Sequence, residues 1–108
     1  MPPSRKPVIW ALAWDEHNLE HVGNHVDPEL VERLIEDGTY VAVPNDERRT
    51  SPRWRLIGIT DDGQWLTVIL EEPADGDPAR WRPITAFRPS QWERDMFHRL
   101  QFGTRGRR

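Results

Sequence analysis

The chain is organised around the segment Trp14-Asp15-Glu16-His17-Asn18-Leu19-Glu20-His21-Val22-Gly23-Asn24-His25. It predicts a helix from about Asp15 to His25, because an aspartate at the N-cap accepts hydrogen bonds from the free amides of the first turn. At about 100° per residue one side of this helix is apolar, with Leu19, Val22 and Val26. The opposite side carries three histidines: His17, His21 and His25. The simplest interpretation of that second side is a solvated surface.

Length and composition limit the possible classes of protein. A chain of 108 residues predicts one domain, with a folded core at about 8–102 between short disordered tails. It has no cysteine, which excludes disulfides, thiolate metal sites and cysteine nucleophiles. The polar, proline-rich first residues are not followed by a long apolar run, so we expect neither a signal peptide nor a membrane partner. The expected location is the cytoplasm.

Charge is distributed unevenly along the chain. The net charge is −3, yet residues 1–45 hold three basic and eight acidic side chains, a local charge of −5. Residues 80–108 hold eight arginines against two acids, a local charge of +6. Such asymmetry indicates a basic surface for nucleic acid or for an acidic partner.

The order of elements predicts an α+β fold. The apolar segment from Val8 to Trp14 predicts an edge strand ahead of the first helix. Asp27-Pro28-Glu29 predicts the start of a second helix, which Gly38 ends near Asp37. Antiparallel strands follow, with a hairpin turn at Asp61-Asp62-Gly63 and a polar loop that holds Arg48 and Arg49. The later elements are predicted at Tyr40–Val43, Trp54–Thr60, Trp65–Glu71, Trp81–Phe87 and, as a final helix, Gln91–Leu100.

Alternation along the strands predicts two apolar faces of the sheet. The face expected under the two helices collects Ile57, Ile59, Leu66, Val68, Leu70, Ile84 and Ala86. The other face collects Trp54, Leu56, Trp65, Ile69, Trp81 and Phe87, with Thr67 and Thr85 between them. Either the final helix covers this second face through Trp92, Met96 and Leu100, or its tryptophans lie open to stack bases or bind an apolar partner. In the open case Arg53, Arg80 and Arg82 would rim the face.

The order of these motifs resembles one protein family. Trp14-Asp15, Asn18, His21 and His25, followed by Asp27-Pro28-Glu29, resemble the start of BrnT-like toxins, small members of the RelE/ParE-like group of bacterial toxin–antitoxin systems. The resemblance continues through Arg55-Leu-Ile-Gly58, Asp62-Gly63, Leu66-Thr67-Val68, Ile84-Thr85-Ala86 and Glu93-Arg94. It covers about Trp14 to Arg99. Two positions depart from the family pattern: Phe87 replaces an arginine, which follows only at Arg88, and Val26 replaces a glycine.

The resemblance implies a small RelE-like domain that cleaves RNA and inhibits translation. Its partners would be RNA and a DNA-binding antitoxin of the ribbon-helix-helix type, and a homodimer is a further candidate assembly. Cleavage without metal or cofactor needs an acid, a base and cations, which histidine and arginine supply. The candidate catalytic residues are His21, His25, Arg88 and Arg94. The candidate RNA-binding residues are Asn18, Arg55, Arg82, Trp65 and Trp81. We further expect the histidine face to share one cleft with Arg82 and Arg88.

Three other functions remain open from the residues alone. The histidines at i, i+4 and i+8 could hold zinc, although that face has no carboxylate beside them. A serine hydrolase lacks any nucleophile motif. The main alternative is a toxin-like fold without catalysis, which binds an antitoxin or a topoisomerase. The displaced arginine favours this alternative, and the histidine face favours the nuclease.

Overall fold

The computed structural model describes residues 7–45 and 52–102. Its elements are, in order, α1 (Glu16–Gly23), α2 (Pro28–Asp37), β1 (Thr39–Pro44), β2 (Arg53–Ile59), β3 (Trp65–Glu71), β4 (Arg82–Phe87) and α3 (Gln91–Phe102). The four strands form one antiparallel sheet in chain order. The predicted α+β fold is therefore confirmed. The predicted disordered tails, and Arg48 and Arg49 in the polar loop, lie outside the described residues.

The segment ahead of α1 runs beside the start of β4 without forming the predicted strand. Its only bridge within the described residues is a parallel one between Leu12 and Trp81. The amides of Trp10 and Ala11 both donate to the carbonyl of Pro78, at 2.8 and 3.3 Å. Proline has no amide proton, so Pro78 accepts these hydrogen bonds but cannot donate one to the neighbouring segment. Regular strand pairing therefore cannot continue through that position.

The first helix is shorter than predicted and is rotated about its axis. Its buried residues are Asn18 and Val22, whereas Leu19, expected in the core, is 46% exposed. The side chain of Asp15 accepts from the Asn18 amide at 2.9 Å, and the Asn18 side chain accepts from the Asp15 amide at 2.8 Å. This reciprocal capping box turns Asn18 inward, because its amide group must reach back to the N-cap backbone.

The second helix begins as predicted, with Asp27 at the N-cap and Pro28 in the first turn. Its end at Gly38 has a different cause from the left-handed conformation typical of such glycines. Gly38 has φ of −87° and is extended. A Cβ there would lie 2.7 Å from the Leu34 carbonyl oxygen and 2.8 Å from that of Ile59, so only glycine allows α2 to approach β2 this closely.

The strand register corrects the predicted faces of the sheet. Leu56 lies opposite Val68, and Ile57 lies opposite Thr67. Since directly opposed residues share a face, Ile57 and Ile59 were assigned to the wrong side. The cause is the turn: Ile59 pairs with Trp65 and leaves residues 60–64 between them, and this odd number places odd positions of β2 opposite odd positions of β3.

The two faces of the sheet are covered by different elements. The α1/α2 side holds the larger apolar cluster: Val22, Val26, Val31, Leu34, Ala42, Leu56, Leu66, Val68, Leu70, Trp81 and Ala86. The α3 side holds Val41, Ile57 and Phe97, with Ile59, Trp65 and Met96 packed against them. The final helix therefore covers the second face, as one of the two predictions had it. It does so through Phe97 and Met96, whereas Trp92 and Leu100 are about half exposed.

The tryptophans do not share an open face, which corrects the predicted grouping. Trp54 and Trp81 lie on the α1/α2 side, and Trp65 lies under α3. Trp54 and Trp65 remain partly exposed. Within residues 7–45 and 52–102, none of the helices has the length and apolar composition to cross a membrane.

Candidate functional site

A cleft of about 250 Å³ separates α1 from the start of β4. Its lining brings together two histidines of α1, two arginines of the sheet and one carboxylate: His17, His21, Arg53, Arg82 and Glu71, with Asn18, Pro83 and Ile84 completing the walls. We call this the imidazole cleft. It unites His21 and Arg82, two of the residues that the sequence singled out.

The imidazoles reach the cleft because α1 buries Asn18 and Val22. With those two residues fixed inward, His17 and His21 lie one turn apart on an exposed edge of the helix. Residues at i and i+4 have Cβ atoms about 5–6 Å apart, so both rings can approach one bound group. Asn18 itself was predicted to bind RNA, but it is 2% exposed and its amide donates to the Ala13 carbonyl at 3.1 Å. We therefore assign it to the helix cap.

The floor of the imidazole cleft is a row of alternating charges. Arg53, Glu71 and Arg82 occupy paired positions on β2, β3 and β4. Glu71 accepts from Arg53 at 3.4 Å. Arg82 pairs through Nη1 with the carboxylate of Asp15 at the start of α1. A guanidinium has five N–H donors, so Arg82 has more donors than its pair with Asp15 uses.

Asp15 therefore has two roles, as helix cap and as partner of Arg82. The Asn18 amide, and after it the Arg82 guanidinium, lower the pKa of the Asp15 carboxyl below its ordinary value of 3.8. Both contacts stabilise the charged form of the carboxylate. At neutral pH Asp15 thus holds Arg82 at the mouth of the imidazole cleft.

His25 lies outside this cleft, although the sequence placed it with the catalytic candidates. The helix ends at Gly23, so the 3.6-residue period no longer positions His25 below His21. The two rings are 5.8 Å apart in an edge-to-face arrangement, and His25 is exposed. His17 takes the place that was predicted for His25.

Arg88 and Arg94 lie near the opposite end of β4, away from the histidines of α1. Arg88 donates to the Trp65 carbonyl oxygen at 2.9 Å and to the Gln64 side chain at 3.3 Å. The Arg94 guanidinium lies over the Trp65 ring, 5.2 Å from its centroid. The expectation of one cleft shared by the histidine face, Arg82 and Arg88 is therefore wrong for Arg88, because a six-residue strand separates its two ends.

The remaining two candidates have structural partners. Arg55 pairs with the buried carboxylate of Glu93 and lies 5.4 Å from the centre of the Trp92 ring. Trp81 is 4% exposed, and its Nε1 donates to the Val8 carbonyl at 3.0 Å. Trp81 is thus core, which corrects its assignment as a base-stacking residue, and Arg55 holds α3 on the sheet.

The candidate site residues did not include three members of the imidazole cleft: His17, which was placed on the histidine face, Arg53, which was placed on a rim of the sheet, and Glu71. The signal for His17 was present, since it precedes His21 by one helical turn. Arg53 and Glu71 carry no local signal, because only the pairing of β2 with β3 brings them together. Among residues 7–45 and 52–102, no group of three or more histidine and carboxylate side chains is placed to hold a metal ion.

The chemistry available in the imidazole cleft is proton transfer beside fixed cations. Two imidazoles can serve as base and acid near neutral pH, and the arginines can stabilise an anionic transition state. Comparison of the chain with protein-family models, with curated proteins and with solved structures finds no match.

Proposed function

We propose that this chain is an RNA-cleaving toxin of the BrnT-like kind, which acts without metal and is silenced by a ribbon-helix-helix antitoxin. The observation that supports the proposal is the imidazole cleft, which His17 and His21 of α1 line together with Arg82 of β4. The motifs that carry the sequence resemblance lie on two helices, an antiparallel sheet and a final helix, in that order.

In the proposed reaction one histidine acts as base and the other as acid. The base takes the proton of a ribose 2′-hydroxyl, and the 2′-oxygen forms a bond to the neighbouring phosphorus. The bond from phosphorus to the 5′-oxygen breaks, and the imidazolium of the second histidine protonates that leaving oxygen. The products are a 2′,3′-cyclic phosphate and a 5′-hydroxyl.

The arginines stabilise the negative charge of the transition state in this reaction. Charge grows on the phosphoryl oxygens in the transition state, where donors held in place are worth most. Arg82 is fixed by Asp15, and Arg53 by Glu71, so neither guanidinium needs to reorganise when the phosphate binds. Removal of one such donor typically lowers the rate by about 10²–10³-fold.

The test compares histidines inside and outside the imidazole cleft. Purified protein is incubated with RNA in the presence of EDTA, and the ends of the products are identified. His17→Ala combined with His21→Ala should abolish cleavage, and His25→Ala is the matched control because it lies on the same segment outside the cleft. All three side chains are exposed, so each substitution should change the free energy of unfolding by no more than about 0.5 kcal/mol. Loss of cleavage in the His25→Ala variant alone would contradict the assignment.

A second function is favoured by one observation, the pairing of both cleft arginines with carboxylates. That pairing makes the cleft nearly neutral, which suits a protein-binding module without catalysis better than a nuclease. The same assay decides between the two. RNA left intact by the unaltered protein, together with binding of the antitoxin, would support the binding module.

A further inference from the structure

A second surface, remote from the imidazole cleft, combines aromatic rings with arginines. On α3 the residues Arg94, His98 and Phe102 follow each other at i, i+4 and i+8, so they form one row along the helix. Trp65, at the start of β3, lies against this row. We call these four residues the aromatic row.

The rings of the aromatic row contact each other successively. The His98 ring is 5.8 Å from Trp65, edge to face, and 5.9 Å from Phe102, where the two planes are only 21° apart. The Cζ atom of Arg94 lies over the Trp65 ring, 5.2 Å from its centroid, in a cation–π contact. Phe102 is 64% exposed and His98 is also exposed. A series of groups 5–6 Å apart is thus held together, and its His98 and Phe102 end faces solvent.

The charge near the aromatic row is positive. Arg88 borders it through the Trp65 carbonyl oxygen, and Arg99 follows on the same helix. Of two neighbouring acids, Asp62 is paired with Arg33 at 3.4 Å, so Asp95 is the one that offsets part of this charge. Planar groups beside such cations match the bases and phosphates of an unpaired strand.

We infer that the aromatic row binds single-stranded RNA by stacking unpaired bases on Phe102 and on the Arg94 guanidinium. The inference rests on the proposed function, which makes RNA the substrate, and adds that the strand is unpaired. Duplex RNA hides its base faces inside the helix, so a stacking surface selects against it. Bases stack on aromatic rings and on guanidinium planes alike, with little dependence on sequence.

The other side of α3 lacks these properties and provides the control. Trp92 is about half exposed there, and the cation beside it, Arg55, is paired with Glu93. Trp92→Ala therefore removes an exposed aromatic ring of the same helix without altering the row. If any apolar surface of α3 bound RNA, this variant would lose affinity too.

The experiment measures binding by fluorescence anisotropy in the His17→Ala, His21→Ala background, so that cleavage does not consume the probe. The probe is a fluorescein-labelled oligouridine, and an RNA hairpin without unpaired flanks is the competitor. Phe102→Ala should weaken oligouridine binding about 5- to 100-fold, as expected for one lost stacked base. Trp92→Ala should leave the affinity unchanged, and the hairpin should compete poorly.

Two conservative variants separate stacking from charge and from apolar contact. Phe102→Leu keeps apolar area but has no π-face, and Arg94→Lys keeps the charge but has no planar group. Both should lose affinity for oligouridine. If both bind as well as the background protein, the stacking inference is wrong. Unimpaired cleavage by Phe102→Leu and Arg94→Lys in the chain that keeps His17 and His21 would then show that the proposed function survives.

Absence of both oligouridine binding and RNA cleavage in the unaltered protein would overturn both proposals. A surface that instead binds a protein would tolerate Phe102→Leu, because a protein contact needs the apolar area and not the ring face. Binding of the antitoxin that falls in Phe102→Ala but not in Phe102→Leu, with oligouridine affinity unchanged, would assign the aromatic row to a protein.

Discussion

The two faces of the sheet are closed by different chemistry. Against α1 and α2 the sheet buries a cluster of eleven apolar residues. Against α3 only Val41, Ile57 and Phe97 are buried together, and the helix is further held by the buried carboxylate of Glu93. The first face depends on burial of apolar area, and the second combines a smaller apolar cluster with one ion pair and its hydrogen bonds.

Glu93 joins three parts of the α3 side. Its Oε2 pairs with Arg55 on β2, while its Oε1 accepts from the amide and the hydroxyl of Ser90, at 2.8 and 3.1 Å. Glu93 thereby performs the reach-back half of a capping box for α3. The contrast with the other face suggests that α3 can detach at a lower free energy than α1 and α2, since few apolar contacts hold it.

The largest expected effect is on the apolar face. Leu34→Ala removes a side chain that is fully buried in the larger cluster. Such truncations leave a cavity and lower the free energy of unfolding by about 3–5 kcal/mol. Urea unfolding monitored by circular dichroism measures the change. Leu19→Ala, on the exposed side of α1, is the control and should cost less than about 0.5 kcal/mol.

The next largest effect is on the α3 side. Glu93→Ala leaves Arg55 without its carboxylate and removes the acceptor of Ser90, so we expect a loss of about 2–3 kcal/mol. Glu93→Gln keeps an acceptor for Ser90 and should cost less. Hydrogen exchange should show faster exchange of the α3 amides in Glu93→Ala, with α2 unchanged. Equal acceleration in both helices would mean that the two faces open together.

Local signals in the sequence predicted the elements of both faces but not their arrangement. Asp15, Asp27 and Pro28 act within one turn of chain, so the helix starts were predictable. The hairpin turn was predictable too, because Gly63 has a φ of +88° that glycine adopts at little cost. The sides of the strands were not, since one residue more or less in the turn reverses them.

The candidate site was predictable to the same extent. His21 and Arg82 were both singled out, and the fold brings them into one cleft. His25 was misplaced because α1 ends two residues before it, and helix ends are the least certain part of a periodic pattern. Arg53 and Glu71 needed the strand register, which no single segment contains.

A smaller effect of opposite sign is expected on the α3 side. The hydroxyl oxygen of Thr67 is buried and has no hydrogen-bond partner among the described residues. Thr67→Val replaces the hydroxyl by a methyl group of similar size, so it should raise the free energy of unfolding by about 1 kcal/mol. Thr85→Val, at a partly exposed position of β4, is the control and should have almost no effect. A loss of stability in Thr67→Val would indicate that the hydroxyl has a partner after all.

The smallest expected effect concerns the N-cap of α1, on the apolar face. Asp15 caps α1 from an exposed position, and its contacts with the Asn18 amide and then with Arg82 lower its pKa below 3.8. A carboxyl with a lower pKa in the folded state than in the unfolded state stabilises the protein above about pH 4, and this stabilisation is lost as the pH falls through the folded value. Asparagine is an equally good N-cap but carries no charge. In Asp15→Asn the melting temperature should therefore fall less steeply between pH 5 and pH 2 than in the unaltered chain.

The control for this comparison is Glu36→Gln, which removes one carboxylate from the exposed end of α2 and should leave the slope unchanged. If Asp15→Asn and Glu36→Gln melt with the same pH dependence as the unaltered chain, the Asp15 contacts add no stability. The mouth of the imidazole cleft would then be held by the cap geometry alone. If only Asp15→Asn flattens the slope, the pair with Arg82 couples the first turn of α1 to β4, and acid should loosen the cleft before it unfolds the α3 side.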